Sequence, residues 1–228
     1  MSPPVKILYL NVTQKTDREV AAFVDMARQH KLPGTEVHIA SIPAADGRFR
    51  NAEYRAYEAV MARGVVRAAR SAARDGFDAL AIGCFYDVAL HDAREVSEEM
   101  IVTASCEASC EIAATLANRF GIIVGRRKWV HQMEAVVRSY GHGERLAGFY
   151  RVDLGVTDFQ QDHAETARRL IAAGRKAVDE AFAERASGLF QTARRSGRGR
   201  WSRQKRRRHR ATRMPSRSSE RKPSCRGW

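Results

Sequence analysis

Short apolar segments alternate with longer stretches of helical periodicity along the first four-fifths of this chain. Runs rich in valine, isoleucine, leucine and alanine predict strands at Val5–Leu10, Glu36–Ala40, Ala79–Gly83, Met100–Val102, Phe120–Val124 and Leu146–Val152. Apolar residues that recur every three or four positions predict helices between them, at about 16–27, 53–74, 91–98, 105–118, 128–140 and 162–184. Strands that alternate with helices in this way are typical of an α/β fold with parallel sheets and right-handed crossovers.

Two local signals support the predicted helices. Thr16 and Glu19 have the spacing of a capping box, in which each residue satisfies a backbone N–H of the other at the start of a helix. Asp75-Gly76 follows the long helix predicted at 53–74, and a glycine at this point predicts where that helix ends.

The composition changes sharply at about residue 191. The chain carries 40 Lys and Arg against 26 Asp and Glu, but 15 of the basic residues and only one acid lie in 191–228. The formal net charge of +14 therefore belongs to this segment, while residues 1–190 are neutral. Because 191–228 contains no Val, Ile, Leu, Phe or Tyr, it cannot bury enough apolar surface to offset its ordering entropy, and we predict a disordered Arg-rich tail.

Two explanations of this tail stay open. Permitted codons for Gln191–Arg195 encode Asp-Gly-Ala-Glu in a neighbouring reading frame, which resembles Asp75–Asp78 ahead of the third predicted strand. We therefore hypothesise a frameshift close to residue 190, which an intact reading frame in the source DNA would exclude. Alternatively the tail is genuine, and Lys205–Arg210 with Trp201 and Trp228 would bind nucleic acid nonspecifically and in a salt-sensitive way.

The most informative single residue is Cys84, which directly follows the predicted strand Ala79–Gly83. In open α/β sheets, ligands bind just outside the carboxyl ends of the strands, so a thiol at this position faces a cleft. A helix that begins nearby stabilises a thiolate through the positive end of its dipole. The alternative is a buried cysteine that acts as a small apolar residue.

The residues around Cys84 resemble a known motif. Gly83-Cys84-Phe85-Tyr86-Asp87, followed by Leu90 and Ala93-Arg94-Glu95, is similar to the first-cysteine motif of the aspartate/glutamate/hydantoin racemase superfamily, and closest to that of hydantoin racemases. Leu10–Thr13, Glu107-Ala108 and Arg119–Ile123 resemble further family segments in the same order. The resemblance extends over about residues 5–185.

This resemblance implies two similar lobes, each with a parallel sheet flanked by helices, and an active site between them. We expect the first lobe, which carries Cys84, at 1–97 and the second at 98–190. The resemblance also implies cofactor-independent racemisation or epimerisation of an amino acid or hydantoin at a carbon next to a carbonyl. Two cysteines of the family face each other across the substrate, and one removes the α-proton while the other returns a proton to the opposite face.

The sequence departs from the family pattern in several places. Asn11-Val12-Thr13 lacks the proline and second asparagine of the family, Tyr86 replaces a small glycine, and Val124–Arg127 replaces a threonine-rich turn. The second cysteine should follow a strand after the helix at 162–184, where the sequence has neither, and Cys225 is assigned no role. Because one thiol makes an incomplete racemase, a decarboxylase or isomerase of the same fold that uses one cysteine is the alternative.

Further residues are candidates for substrate binding through the resemblance or their place at strand ends: Asn11, Thr13, Phe85, Tyr86, Glu107 and Arg126. Asn11 and Thr13 alternatively form a turn and cap the next helix. Glu107 alternatively caps the helix in which it lies. Arg126 alternatively belongs to a solvated run of charges at the start of a helix.

The cysteine content and the N-terminus indicate a cellular compartment. Four cysteines are too few for a disulfide framework at this length, and Cys106 and Cys110 lack further ligands at metal-site spacing, so we expect core packing there and no metal. Because Met1–Lys6 lacks a signal-peptide region and no apolar run approaches membrane-spanning length, we expect a cytoplasmic protein without a membrane partner. The expected partners are a small-molecule substrate with an acidic α-carbon and, from the resemblance, further copies of the chain in a homo-oligomer.

Overall fold

The structure is a computed structural model that describes residues 3–43 and 52–180. The predicted Arg-rich tail, the hypothesised frameshift position and the end of the helix predicted at 162–184 lie outside these described residues. Among the helices of the two described ranges, none has the length and apolar character that are needed to cross a bilayer.

Six strands of the described chain form two parallel sheets. The first sheet has the strand order β2-β1-β3-β4 and comprises β1 (Val5–Asn11), β2 (Thr35–Ser41), β3 (Ala79–Ile82) and β4 (Ile101–Ala104). The second sheet pairs β5 (Phe120–Val124) with β6 (Leu146–Arg151). Every strand pair in both sheets is parallel, as the alternation of strands and helices predicts.

Helices connect the parallel strands. They are α1 (Asp17–His30), α2 (Arg55–Arg74), α3 (Leu90–Val96), α4 (Ser105–Leu116), α5 (Val130–Ser139) and α6 (Asp158–Gln161). A further helix, α7, runs from 163 to 180, where the described residues end. The predicted α/β fold with parallel sheets flanked by helices is confirmed, and each predicted strand is present to within two residues at either end. The short helix α6 escapes prediction because four residues are too few to show a periodicity.

The predicted division into lobes at 97/98 stays a prediction. The first sheet includes β4, which lies beyond residue 97, so this sheet does not end at the predicted boundary. The described residues up to Ala177 belong to one compact unit that contains both sheets.

Both predicted helix signals are present in the structure. Glu19 N donates to Thr16 Oγ1 at 3.4 Å, and Thr16 N donates to Glu19 Oε2 at 2.8 Å, which completes the capping box of α1. Helix α2 ends at Arg74, and Gly76 then adopts a φ of +74°, a left-handed conformation that favours glycine. Local chemistry therefore sets the start of α1 and the end of α2.

The register of β1 and β3 brings two loops together at one edge of the first sheet. Leu10 lies beside Ile82, and Gly83 N donates to Leu10 O at 2.9 Å. Leu10, Leu80 and Ile82 are buried in the core and lie on the same face of the sheet, so this face packs on the core up to this edge. The chain leaves the sheet after Asn11 on β1 and after Ile82 on β3, which places the following residues of the two loops side by side.

Candidate active site

Cys84 lies in the loop at the carboxyl end of β3. Cys84 N donates to Ile82 O at 3.0 Å, and Asp87 N donates to Cys84 O at 3.0 Å, so the thiol sits on a hydrogen-bonded turn. A Cβ atom at the preceding residue, Gly83, would lie only 2.5 Å from Tyr9 Oη, so a larger residue there would displace the Tyr9 ring. The ring of Tyr9 therefore packs directly on the backbone beside the thiol.

A cavity of about 230 Å³ opens next to Cys84. Loops of the first sheet and of the second sheet both contribute side chains to its walls, among them Thr13, Lys15, Glu53, Phe85, Tyr86, Trp129, Met133 and Val156. Most of these side chains are apolar or aromatic, and the polar ones are few. A concave, mostly apolar cavity with a few polar groups is typical of a small-molecule site.

The structure brings four of the predicted site residues together in this cavity. Cys84, Thr13, Phe85 and Tyr86 all line it. Asn11 does not, because it is 1% exposed and its Nδ2 donates to Ala40 O at 3.2 Å. Asn11 therefore joins the ends of β1 and β2 inside the protein, outside the residues that line the cavity.

Glu107 and Arg126 also lie outside the residues that line the cavity, and both are engaged in ion pairs. Arg94 donates to both carboxylate oxygens of Glu107, at 3.0 and 2.5 Å, and to Val102 O at 3.0 Å. Arg126 pairs with Asp158 at 3.2 Å and approaches Glu53 at 4.0 Å. The sequence suggested that Arg126 binds an anionic substrate. In this structure its guanidinium is paired with Asp158 instead.

Sequence reasoning missed the role of Asp87, whose carboxylate lies at the start of α4. Its carboxylate accepts from Cys106 N and Glu107 N, each at 2.8 Å, and from Tyr140 Oη at 2.9 Å. Burial raises the pKa of Asp87 above its ordinary value, although these three hydrogen bonds act in the opposite direction. Asp87, which lies in the loop after β3, therefore caps the start of α4. From the sequence alone, Glu107, which lies within α4 itself, is a candidate for this capping role.

Burial raises the pKa of the Cys84 thiol to about 11. A hydrogen bond from the Tyr86 backbone lowers it, the negative charges of Asp87 and Glu58 raise it, and the ammonium of Lys15 lowers it. Lys15 Nζ lies 3.7 Å from Glu19 Oε1, and its side chain is mostly buried at the cavity. Cys84 is therefore a thiol at neutral pH, and Lys15 is the cavity cation that favours its thiolate.

This pKa predicts how Cys84 reacts with iodoacetamide. The rate of alkylation is expected to rise about tenfold per pH unit from about pH 7 to about pH 10, because only the thiolate reacts. Its midpoint is expected near pH 11 in the folded protein and near the ordinary value of about 8.5 in urea. Mass spectrometry of the peptide that contains Cys84 measures both rates.

Lys15→Gln tests the cause of this pKa. Removal of the ammonium raises the pKa further, so alkylation of Cys84 at a fixed pH is expected to slow. A folded wild-type protein with the same midpoint as the unfolded chain would contradict this description of the cavity.

Glu53, which lies just before α2, hydrogen-bonds to residues that follow the two strands of the second sheet. Its carboxylate accepts from Lys128 Nζ at 2.8 Å and from Val156 N at 3.0 Å. Burial raises the pKa of Glu53, but these hydrogen bonds and the charges of Lys128 and Arg126 outweigh burial and leave the pKa below its ordinary value. Glu53 therefore contributes to the cavity wall a carboxylate whose charge is paired with Lys128.

The other cysteines and cavities of the described chain do not share this chemistry. Cys106 and Cys110 are 0% and 1% exposed on α4, as core packing predicts. A larger cavity of about 810 Å³ lies between β2 and α2 and touches Thr13, but no cysteine lines it. Within 3–43 and 52–180, no cluster of three or more His, Cys, Asp or Glu side chains forms a metal site.

Comparison with known proteins identifies a family that this chain matches. The family model described as Asp/Glu/Hydantoin racemase matches residues 9–185. The hydantoin racemase of Pseudomonas sp. (strain NS671) is 33% identical over 121 residues, which are 53% of this chain and 48% of the relative. The hydantoin racemase of Rhizobium meliloti is 31% identical over 114 residues, 50% of this chain and 47% of the relative.

A solved structure supports the fold. The allantoin racemase from Klebsiella pneumoniae superposes with a TM-score of 0.67 and 24% identity, and the match covers 76% of this chain and 70% of that one. At this identity the likeness concerns the fold alone. The chain spans about half the length of the curated relatives it matches.

Proposed function

This chain belongs to the Asp/Glu/hydantoin racemase family, and we propose that it acts on a hydantoin-type substrate at the carbon next to a carbonyl, with Cys84 as an acid/base group. The observation that carries the proposal is the position of Cys84, at the carboxyl end of β3 and in the wall of a mostly apolar cavity. A thiol in such a cavity reaches a small substrate from one side.

The chemistry of the proposed reaction is proton transfer at carbon. The Cys84 thiolate removes the α-proton of the substrate, and the electron pair moves into the adjacent carbonyl to give an enolate. Protonation of the enolate from the opposite face gives the other enantiomer, while protonation from the same face returns the starting compound. No cofactor is required by these steps, because the neighbouring carbonyl accepts the electrons.

The charge of Lys15 and the size of the cavity both support this proposal. Lys15 lowers the pKa of Cys84 and so increases the fraction of the base. Hydantoin and allantoin, which name the substrates of the similar racemases, are cyclic ureides of a size that suits a cavity of about 230 Å³.

The experiment follows the α-proton of an enantiopure 5-alkylhydantoin in D₂O by ¹H NMR and its enantiomeric excess by chiral chromatography. Exchange together with racemisation supports a two-sided reaction and requires a second proton donor besides Cys84. Exchange with retained configuration supports one-sided action by Cys84. A wild-type protein that accelerates neither process contradicts the proposed function.

A one-thiol reaction of the same fold is the second candidate. It is favoured by the observation that Cys84 is the single cysteine among the described residues that line the cavity. Decarboxylation of a substituted malonate passes through the same enolate and needs only one proton delivery. Release of CO₂ that depends on Cys84, without exchange of the hydantoin proton, would favour this candidate.

A further inference from the structure

The outward side of helix α2 carries a stripe of four arginines. The buried positions of α2 face the first sheet and are all apolar: Met61, Val65, Ala69 and Ala72. Four exposed arginines lie on the other side of the helix, at spacings of four, three and four residues: Arg63, Arg67, Arg70 and Arg74. Residues with these spacings share one face of an α-helix, so the guanidinium groups form one stripe that is about 16 Å long.

Among the described residues, none of these four arginines has an acidic partner. Elsewhere carboxylates neutralise basic side chains, as in the pairs Arg94–Glu107 and Lys128–Glu53. The stripe is therefore a local excess of positive charge in a stretch, 1–190, that is neutral overall. Like charges one helical turn apart destabilise a helix, so the stability of α2 does not account for the stripe.

A patch of acidic side chains lies on the neighbouring helix α3 and on the turn that follows it. Its members are exposed and have no basic partner in the described ranges: Asp92, Glu95, Glu98 and Glu99. Leu90 and Ala93 are the buried residues of α3 and face the core. Arg94 of the same helix pairs with Glu107, so it does not neutralise the acidic patch.

Helices α2 and α3 lie side by side on one face of the first sheet. In the strand order β2-β1-β3-β4, the steps from β2 to β3 and from β3 to β4 go in the same direction, so right-handed crossovers place both helices on the same face. The two helices also pack on each other. The outer surface of this helical layer is therefore positive along α2 and negative along α3.

We propose that the outer faces of α2 and α3 form the surface through which two copies of this chain associate. A two-fold axis that runs between the two helices, parallel to both, would place α2 of each copy over α3 of the other. Each arginine stripe would then meet an acidic patch, so the surface is self-complementary, as a two-fold interface requires. Because Ala79 and Ile101 pair where β3 and β4 begin, the preceding helices end at the same edge of the sheet, which brings the ends of the two charged stripes level.

The acidic patch favours a second copy of the chain over a nucleic acid as the partner. A phosphate backbone on the arginine stripe would run beside Asp92 and Glu95, whose negative charges repel it. A second copy satisfies the charges of both signs. Exposed ion pairs contribute little individually, so we expect a weak, salt-sensitive dimer whose register is set by its charges.

Sedimentation velocity of the full chain measures this association. We expect a dimer whose dissociation constant increases at least about tenfold when NaCl is raised from about 50 mM to about 500 mM, because salt screens exposed charges. None of the proposed interface residues lines the Cys84 cavity, so the result does not depend on the proposed function.

Arg67→Glu and Glu95→Arg test the two charged stripes separately. Each variant is expected to weaken the dimer at least about tenfold, because one substitution sets like charges against each other at two symmetric places. Arg18→Glu makes the same change of charge at an exposed position of α1 and is the matched control, which should dimerise as the wild type does. All three positions are exposed, so the melting temperature is expected to stay unchanged.

An exchange of charges between the two helices distinguishes an interface from a structural effect. The double variant Arg67→Glu/Glu95→Arg is expected to regain the wild-type dissociation constant to within about threefold, because the exchanged charges match again. An equimolar mixture of the two single variants is also expected to dimerise, although each alone does not. Damage to α2 or α3 would not be repaired by a second reversal or by mixing.

Several results would overturn the proposal. A wild-type chain that stays monomeric at low salt has no such interface, and a dimer that neither single variant weakens uses another surface. Weakening by Glu95→Arg alone, without rescue in the double variant, would show that the acidic patch binds another basic segment such as 191–228. Binding of duplex DNA that Arg67→Glu abolishes while the dimer persists would assign the arginine stripe to a polyanion.

Discussion

Cys84→Ser is expected to lower the rate of α-proton exchange in a 5-alkylhydantoin about a thousandfold. Serine keeps nearly the shape of cysteine, but its hydroxyl is far less acidic than a thiol and supplies almost no base near neutral pH. The fold should persist, because Cys84 lies at the cavity and serine can make the same backbone hydrogen bonds. The measurement is the loss of the α-proton signal by ¹H NMR in D₂O.

Cys110→Ala is the matched control for this result. Cys110 is a buried cysteine on α4 that does not line the cavity, so its replacement is expected to leave the exchange rate unchanged. If Cys84→Ser exchanges as fast as the wild type, Cys84 takes no part in the chemistry. If both variants lose exchange together, the loss reflects the fold and the assignment of Cys84 fails.

Asp87→Ala is expected to lower the free energy of unfolding by about 3 kcal/mol. The change removes the carboxylate that accepts from two backbone N–H groups at the start of α4 and from the Tyr140 hydroxyl. These three donors lose their hydrogen-bond partner inside the protein. It also leaves alanine at a φ of +51°, a left-handed conformation that costs alanine more than it costs aspartate or asparagine. Urea denaturation measures the loss.

Asp87→Asn separates the hydrogen bonds from the charge. Asparagine tolerates the left-handed backbone and retains one acceptor oxygen, so about 1 kcal/mol of destabilisation is expected. Because the charge of Asp87 raises the pKa of Cys84, this variant should also lower that pKa and speed alkylation at a fixed pH. Asp92→Ala, at an exposed position on α3, is expected to change stability by less than about 0.5 kcal/mol, and an equal loss at both sites would contradict the capping role of Asp87.

The order of the strands and helices could be predicted from the sequence because each element carries its own period. Phe120–Val124 has the same bounds in the prediction and in the structure, and the capping box at Thr16 fixes the start of α1. The ends of β4 are less distinct, because the apolar run there is short and continues into α4 without a turn residue.

The position of Cys84 could be predicted from one rule, that ligands bind at the carboxyl ends of parallel strands. The rule gives the edge of the sheet but not the side chains that point into the cavity. Asn11 is the last residue of β1 and Thr13 lies two residues further on, yet the Asn11 side chain hydrogen-bonds to Ala40 while Thr13 lines the cavity. The difference depends on the exact residue at which β1 ends, which periodicity does not resolve.

The remaining parts of the site could not be predicted because they come together from distant segments. Glu53 meets Lys128 and Val156 across long stretches of chain, and no local pattern marks such a contact. Asp87 caps α4 from a separate loop, whereas sequence rules for caps consider the residue just before a helix. Trp129 reads as one more apolar position in a helix, and only the folded structure shows that it lines the cavity beside Cys84.

The most direct test of the central claim is whether hydantoin protects Cys84 from alkylation. Peptide mass spectrometry would follow iodoacetamide labelling of Cys84 at about pH 9, where the thiolate fraction supports a measurable rate, with and without saturating hydantoin. If the substrate occupies the cavity that Cys84 lines, labelling is expected to slow at least about tenfold, while labelling of Cys225 stays the same. Equal labelling of Cys84 with and without bound hydantoin would contradict the assignment of this cavity as the active site.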